Sequence, residues 1–292
     1  MVAGLVLTWS WHPGTIILLL VMSLLYALGL WRARLRSPED TSIKARHSAA
    51  FFLAILLAAL MLLTPIDTIG RTQLFSVHMM QAIVLTTVCA PLILFASPAA
   101  LLRPLIELPL LRTVVRLLTM PLVATLIFNG AFLFWHVPKV FELAQRNPTL
   151  YQVQMLTIFL ASLLNWWPLI GSLREEINRM TYPIQMLYAF FDGQPVDIFA
   201  FVLVFSGVAI YRLYNIPPQL NLTAFADQTV AGALLLIPGL VDLGVMSPLF
   251  FRWLGQVEDR TRAADQRRQE EVYEDDEDEE YEEEEEGEEA SR

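Results

Sequence analysis

The chain has a single cysteine, Cys89, among 292 residues, so no intrachain disulfide can form. It lies in an apolar run, where a thiol packs and does not react. Signatures of conventional catalysis are missing too: there is no GxSxG elbow, Walker loop, HExxH helix or CxxC pair. A conventional enzyme is therefore not expected, and neither is a nucleic-acid partner. Charge is scarce, with 17% of residues charged against 55% hydrophobic. That balance suits an integral membrane protein, with the lipid bilayer as its first partner. No basic residue precedes Arg32, so the basic region of a cleavable signal peptide is missing. Thr15–Trp31 reads as an uncleaved first span.

The net charge of −10 comes from one end. Residues 269–292 hold 16 of the 30 acids and one of the 20 bases, while the other 268 residues carry 19 bases against 14 acids. A run of like charge repels itself and has nothing apolar to bury, so disorder is expected there. The division is a transmembrane domain over 1–254, then a cytoplasmic tail over 255–292 that is first mixed in charge and then acidic. The tail reads as a solvated segment; a docking arm for a basic cytoplasmic partner is the sharper alternative.

What the chain has in quantity is apolar runs, and about 20 such residues cross a bilayer as helix. Seven can be marked, roughly 14–31, 49–66, 73–96, 117–135, 151–171, 184–211 and 229–251. The expected fold is all-α: a polytopic membrane protein of seven transmembrane helices. The sixth run is long and contains Gly193 and Pro195, which predicts a kink or tilt. Segments after odd-numbered spans hold sixteen basic residues, and the opposite side holds four, Arg71, Lys139, Arg146 and Arg212. The positive-inside rule then puts the N-terminus outside and the tail in the cytoplasm, with the cell's inner (plasma) membrane as the location. Trp9, Trp11, Trp31, Trp135 and Trp253 fall at span ends, where indoles favour the headgroup level.

The third run opens with His78, Met79 and Met80. Residues i and i+4 share a helix face, but the position that would complete a histidine pair is Ala82. His136 closes the fourth run and Met155 opens the fifth, at comparable depth. Imidazole and thioether donors suit Cu(I), a soft ion, better than zinc or magnesium. The plainer reading is that methionines fill gaps and histidines hydrogen-bond near the interface. His47, beside Arg46, reads as solvated. Asp192, Asp197 and Asp242 lie inside spans six and seven with no base at their depth. They are expected to be protonated, hydrogen-bonded to groups such as Asn165, or facing a wet cleft. A proton path is the bolder reading, interhelical glue the plainer.

Six segments together resemble one family. They are TPID at Thr64–Asp67, LFSVHMMQ at Leu74–Gln81, APLILFASP at Ala90–Pro98, FWHVPKVFELAQRNP at Phe134–Pro148, NWWPLIG at Asn165–Gly171 and ADQTVAG at Ala226–Gly232. In these the chain resembles the CtaG-type cytochrome c oxidase assembly factors, seven-span membrane proteins associated with copper delivery. The resemblance implies motif roles for Asp67, Asp227 and Gln228. It implies copper handling by a histidine-rich set, from which this chain departs. A family histidine stands as Ala82, a His…Glu-His group as Tyr151, Gln154 and Met155, and a Met-Trp pair as Leu235-Leu236. His78 and His136 are retained.

The expectation is a membrane assembly factor for a haem–copper oxidase, passing Cu(I) at the outer face to oxidase subunits through His78 and His136 with Met79, Met80 or Met155. The alternatives are a metal-free structural or scaffolding subunit of another respiratory complex and, resting only on the intramembrane acids, a small-solute or proton transporter.

Overall fold

The computed structural model describes residues 4–36 and 43–290. Residues 37–42 of the first loop and the last two residues of the tail lie outside the described residues. The described residues are helical apart from their connections. In order they form α1 (Pro13–Arg36), α2 (Ala45–Leu63), α3 (Pro65–Thr72), α4 (Phe75–Phe95), α5 (Ala99–Ile106), α6 (Pro109–Leu118), α7 (Pro121–Trp135), α8 (Pro138–Arg146), α9 (Pro148–Ile170), α10 (Arg174–Ile177), α11 (Tyr182–Asp192), α12 (Gln194–Phe205), α13 (Ala224–Leu235) and α14 (Ile237–Ala290).

Six helices are long and apolar enough to cross a membrane: α1, α2, α4, α9, the α11–α12 pair and the α13–α14 pair. The α6–α7 pair, bent by 67° at the Thr119–Pro121 break, makes a seventh candidate when counted as one span. α7 alone has 15 residues, about 22 Å of helix, which is short for a hydrocarbon core of about 30 Å. Its two ends nonetheless reach opposite ends of the bundle. Asn178 donates to Thr119 Oγ1 at 3.0 Å at one, and His136 stands beside His78 at the other. Side chains such as Leu20, Leu24, Leu126 and Phe201 point outward from these helices, as lipid-facing positions should.

Prolines set the breaks. Pro65 has no N–H for the Met61 carbonyl, so α2 stops; Thr64 Oγ1 then caps α3 by accepting from Ile66 N at 3.3 Å. Pro91 lies within α4, and its wide π-helical turn, Val84–Cys89, comes just before it. Trp166 Nε1 takes up the Thr86 carbonyl there at 2.8 Å. Span six breaks at Gly193, between α11 and α12, where the Gly193–Pro195 spacing predicts it.

Two expectations need correction. The sixth apolar run does not stay helical to 211: α12 ends at Phe205, and the chain continues as irregular backbone tied down by Gln228. His47 is buried, not solvated; its Nδ1 accepts from Lys44 N at 3.2 Å, and its ring lies edge-on to Phe95. The helical backbone of α14 is continuous to Ala290. Glutamate's helix propensity favours that backbone, while i,i+4 repulsion opposes it.

Candidate functional site

At one end of the bundle, polar side chains are buried with unusual density. His78, Gln81 and Gln154 are fully buried, and Asp67, His136, Gln145, Asp227 and Gln228 nearly so. The first turn of α4 is at the centre of this end. Its N-cap, Leu74, offers no side-chain oxygen, and Asp227 of α13 supplies one from 152 residues away. Asp227 Oδ2 accepts from Phe75 N at 2.6 Å, and Oδ1 accepts from Ser76 N at 3.2 Å and Ser76 Oγ at 2.5 Å. A carboxylate at a helix N-terminus both satisfies open N–H groups and complements the dipole. The turn that carries His78 is therefore held by Asp227.

Gln228, the next residue, holds a different piece. Its Oε1 accepts from Ile210 N at 2.6 Å and Tyr211 N at 3.4 Å. Its Nε2 donates to Leu203 O, Ser206 Oγ and Val208 O at 2.9–3.1 Å. The segment so pinned delivers Tyr211, whose hydroxyl donates to the His136 carbonyl. Asp67 is 1% exposed and meets His12 Nε2 at 3.1 Å, tying the N-terminal segment to α3. Burial pushes the Asp67 carboxyl above the usual carboxylate range, against the pull of Ser10, His12 and Arg71. Among the described residues its Oδ1 has no hydrogen-bond partner.

The two histidines meet. Their Nε2 atoms are 3.4 Å apart, walled by Phe75, Phe132 and Phe141. Counting hydrogens assigns the His136 tautomer and leaves His78 two partners. His136 Nδ1 lies 2.6 Å from the Phe132 carbonyl, which only accepts, so Nδ1 carries the hydrogen and Nε2 a lone pair. Gln81 Nε2 donates to the Met61 carbonyl freed by Pro65, at 2.6 Å, so its Oε1 faces Tyr151 and receives that hydroxyl's only hydrogen at 2.7 Å. Neutral His78 donates either from Nδ1 to Tyr151, at 3.3 Å, or from Nε2 to His136 Nε2, at 3.4 Å. In the first tautomer each Nε2 presents a lone pair to the other.

A two-coordinate metal ion fits this donor pair in type. Two nitrogen–metal bonds of about 2 Å each need roughly 4 Å between the nitrogens, slightly more than the 3.4 Å present. Among the described residues no group of three or more His, Cys, Asp or Glu side chains is placed to hold a metal. The methionines distribute unevenly. Met79 packs with Phe75, Phe132 and Phe141 in the cluster around the histidines. Met155 packs instead with Tyr151, Leu85 and Cys89, and Met80 is half-buried. Ala82 is packed in the core with Phe75 and Met79.

The intramembrane acids gather elsewhere. Asp192, Asp197 and Asp242 line one cavity of about 50 Å³ with Asn165 and Gly193, room for one or two waters. Thr125 Oγ1 donates to Asp192 Oδ1 and Asn165 Nδ2 to its Oδ2 at 2.5 Å. A Cβ at Gly193 would lie 3.3 Å from Asp242 Oδ2 and 3.8 Å from Asp197 Oδ2, so both carboxylates converge on that bare Cα.

Sequence reasoning named His78 and His136 but missed Gln81 and Tyr151 as partners. Tyr151 stood out there only as a departure from the family pattern. A glutamine three residues after His78, on the same helix, was the one local signal.

The model of the family described as cytochrome c oxidase caa3 assembly factor (Caa3_CtaG) matches residues 24–256. No curated protein and no solved structure matches the chain.

Proposed function

The chain belongs to the cytochrome c oxidase caa3 assembly factor family, and on that footing we propose that it serves oxidase maturation from its histidine end, handling one Cu(I) ion between His78 and His136. The observation that carries this reading is the approach of two buried Nε2 atoms to 3.4 Å, with the His136 lone pair turned into the gap. Such a contact favours an added cation, and neutral nitrogen donors suit a soft monovalent ion that must later be released. Met79, in the cluster that walls the pair, is the nearest candidate for a supporting thioether; Met80 and Met155 are weaker candidates by placement. The copper is cargo, and its acceptor is an oxidase subunit.

The histidine end faces outward in this reading, and α14 leaves on the cytoplasmic side of the cell membrane. Basic residues at the other end, among them Arg103, Arg116 and Arg174, support that orientation through the positive-inside rule. An impermeant thiol reagent on intact cells, after Cys89→Ser, should label Thr72→Cys and spare Gln269→Cys. The reverse pattern inverts the topology. The acidic stretch buries nothing of its own and is dispensable for insertion; a chain truncated after Arg268 that fails to accumulate would contradict this.

A second reading is a metal-free scaffold for the same complex. It is favoured by the lack of a third ligand of the usual kinds among the described residues. Titration with Cu(I) under reducing conditions separates the two. The copper reading expects one ion per chain, lost in both His78→Ala and His136→Ala. A wild-type protein that binds none leaves the scaffold reading.

A further inference from the structure

Apart from the histidine pair, the same end of the bundle carries an open polar pocket of about 640 Å³. Its lining includes Arg71, Lys139, Arg146 and Arg212. These are the four bases in the segments that follow even-numbered apolar runs; the other sixteen follow odd-numbered runs or lie in the tail. They come from three separate stretches, α3, α8 and the segment after α12, yet they converge on one opening. Carboxylate is nearly missing from it. The one acid, Glu142, pairs with Arg146 at 2.5 Å. Arg71, Lys139 and Arg212 have no carboxylate partner among the described residues, and Arg71 Nε has no hydrogen-bond partner. The pocket also touches the metal site's supports. Tyr211, whose hydroxyl holds the His136 carbonyl, lines it. So does Gln145, which donates to Gln154 Oε1 at 3.4 Å.

We propose that this pocket is the docking surface for an acidic segment of a partner polypeptide, received beside Tyr211, whose hydroxyl holds the His136 carbonyl. The proposal deepens the assembly-factor reading by giving the partner's chemistry, and rests on that reading for its purpose. Spacing selects a segment over a small anion. Lys139 and Arg146 are seven residues apart on α8, about 10 Å along the axis, and Arg71 and Arg212 come from two further stretches, a spread matched to several acids in a row. The bases sit mostly at an exposed rim, the arrangement that steers and registers a charged partner more than it holds one tightly. The chain's own acidic stretch is excluded as the occupant in the same molecule. α13 starts at the histidine end, where Asp227 caps α4, and α14 carries the chain away past the acid cavity to the other end.

The test uses the full chain in nanodiscs of neutral lipid, without copper, so its outcome is independent of metal binding. A fluorescent decapeptide of alternating Asp and Gly is titrated by anisotropy at low and high salt. The wild type should bind it at low salt and lose it at high salt. Lys139→Gln/Arg146→Gln should weaken binding about tenfold, and Arg212→Gln alone by a few-fold. Arg112→Gln, the same charge change at the opposite end, should leave binding unaltered. These positions are exposed, and thermal melting confirms that each variant is folded. No binding by the wild type, or equal loss with Arg112→Gln, overturns the proposal. So does inorganic phosphate displacing the peptide at equal charge concentration, which makes the pocket a small-anion site.

Discussion

His78 and His136 present Nε2 to Nε2 at 3.4 Å, although one lies in the first turn of a helix and the other 58 residues later at the end of another. The Phe132 carbonyl holds the hydrogen of His136 out of the gap. The Tyr151 hydroxyl, its own hydrogen given to Gln81, offers an acceptor for that of His78. The Met61 carbonyl orients Gln81, and it is open to do so because Pro65 cannot donate to it.

Tyr151→Phe removes the acceptor of the His78 Nδ1–H and leaves the ring packed. Cu(I) affinity should fall by roughly 10- to 100-fold, the usual range for an outer partner of a ligand histidine. Nitrogen NMR of the metal-free protein should show His78 moving toward the Nε2–H form. Unchanged tautomer and affinity would remove Tyr151 from the site.

Gly70→Ala should damage the same relay from outside it. A Cβ at Gly70 would stand 2.1 Å from Gln81 Oε1 and 3.1 Å from the backbone nitrogen of His78. Moving Gln81 aside strands the Met61 carbonyl and the Tyr151 hydroxyl in the interior. At about 1–3 kcal/mol for each unsatisfied group, the loss should be roughly 2–5 kcal/mol. Thermal melting in detergent reads it, and a melting point like that of wild type would contradict the packing described.

Gln228→Ala breaks five hydrogen bonds that fix the segment after α12. The expected cost is about 2–4 kcal/mol, with faster amide exchange at Ile210 and Tyr211. Because Tyr211 also holds the His136 carbonyl, copper affinity should drop as well. Gln228→Glu should not rescue it, since a carboxylate cannot donate to Leu203 O.

Asp67 supplies a pH dependence with a definite sign. Its carboxyl is raised in the fold from the ordinary 3.8. The protonated form is therefore the one that folding favours. That stabilisation is fully present below the unfolded value and is lost as pH rises through the folded one. The melting-point difference between wild type and Asp67→Asn should shift against the wild type from about pH 4 upward. A difference that is flat with pH, or one that moves the other way, would refute it.

The sequence alone determined the membrane class and the approximate places of the passes. Twenty apolar residues in a row are a local property, and lipid demands that the backbone satisfy itself within each helix. The Gly193 break and the two histidines were legible for the same reason. What stayed hidden depended on long-range meetings. No periodicity shows that Asp227 would cap a helix 152 residues earlier, or that Gln228 would hold the end of span six out of helix. Residues 206–211 look apolar enough to continue the span, but a glutamine from α13 satisfies their backbone instead. The acceptor offered to His78 is likewise a tertiary fact, because it follows from which groups stand around Gln81 and Tyr151. Four basic residues scattered over three segments become one pocket only when α3, α8 and the segment after α12 are brought together, and charge complementarity exists only in that arrangement.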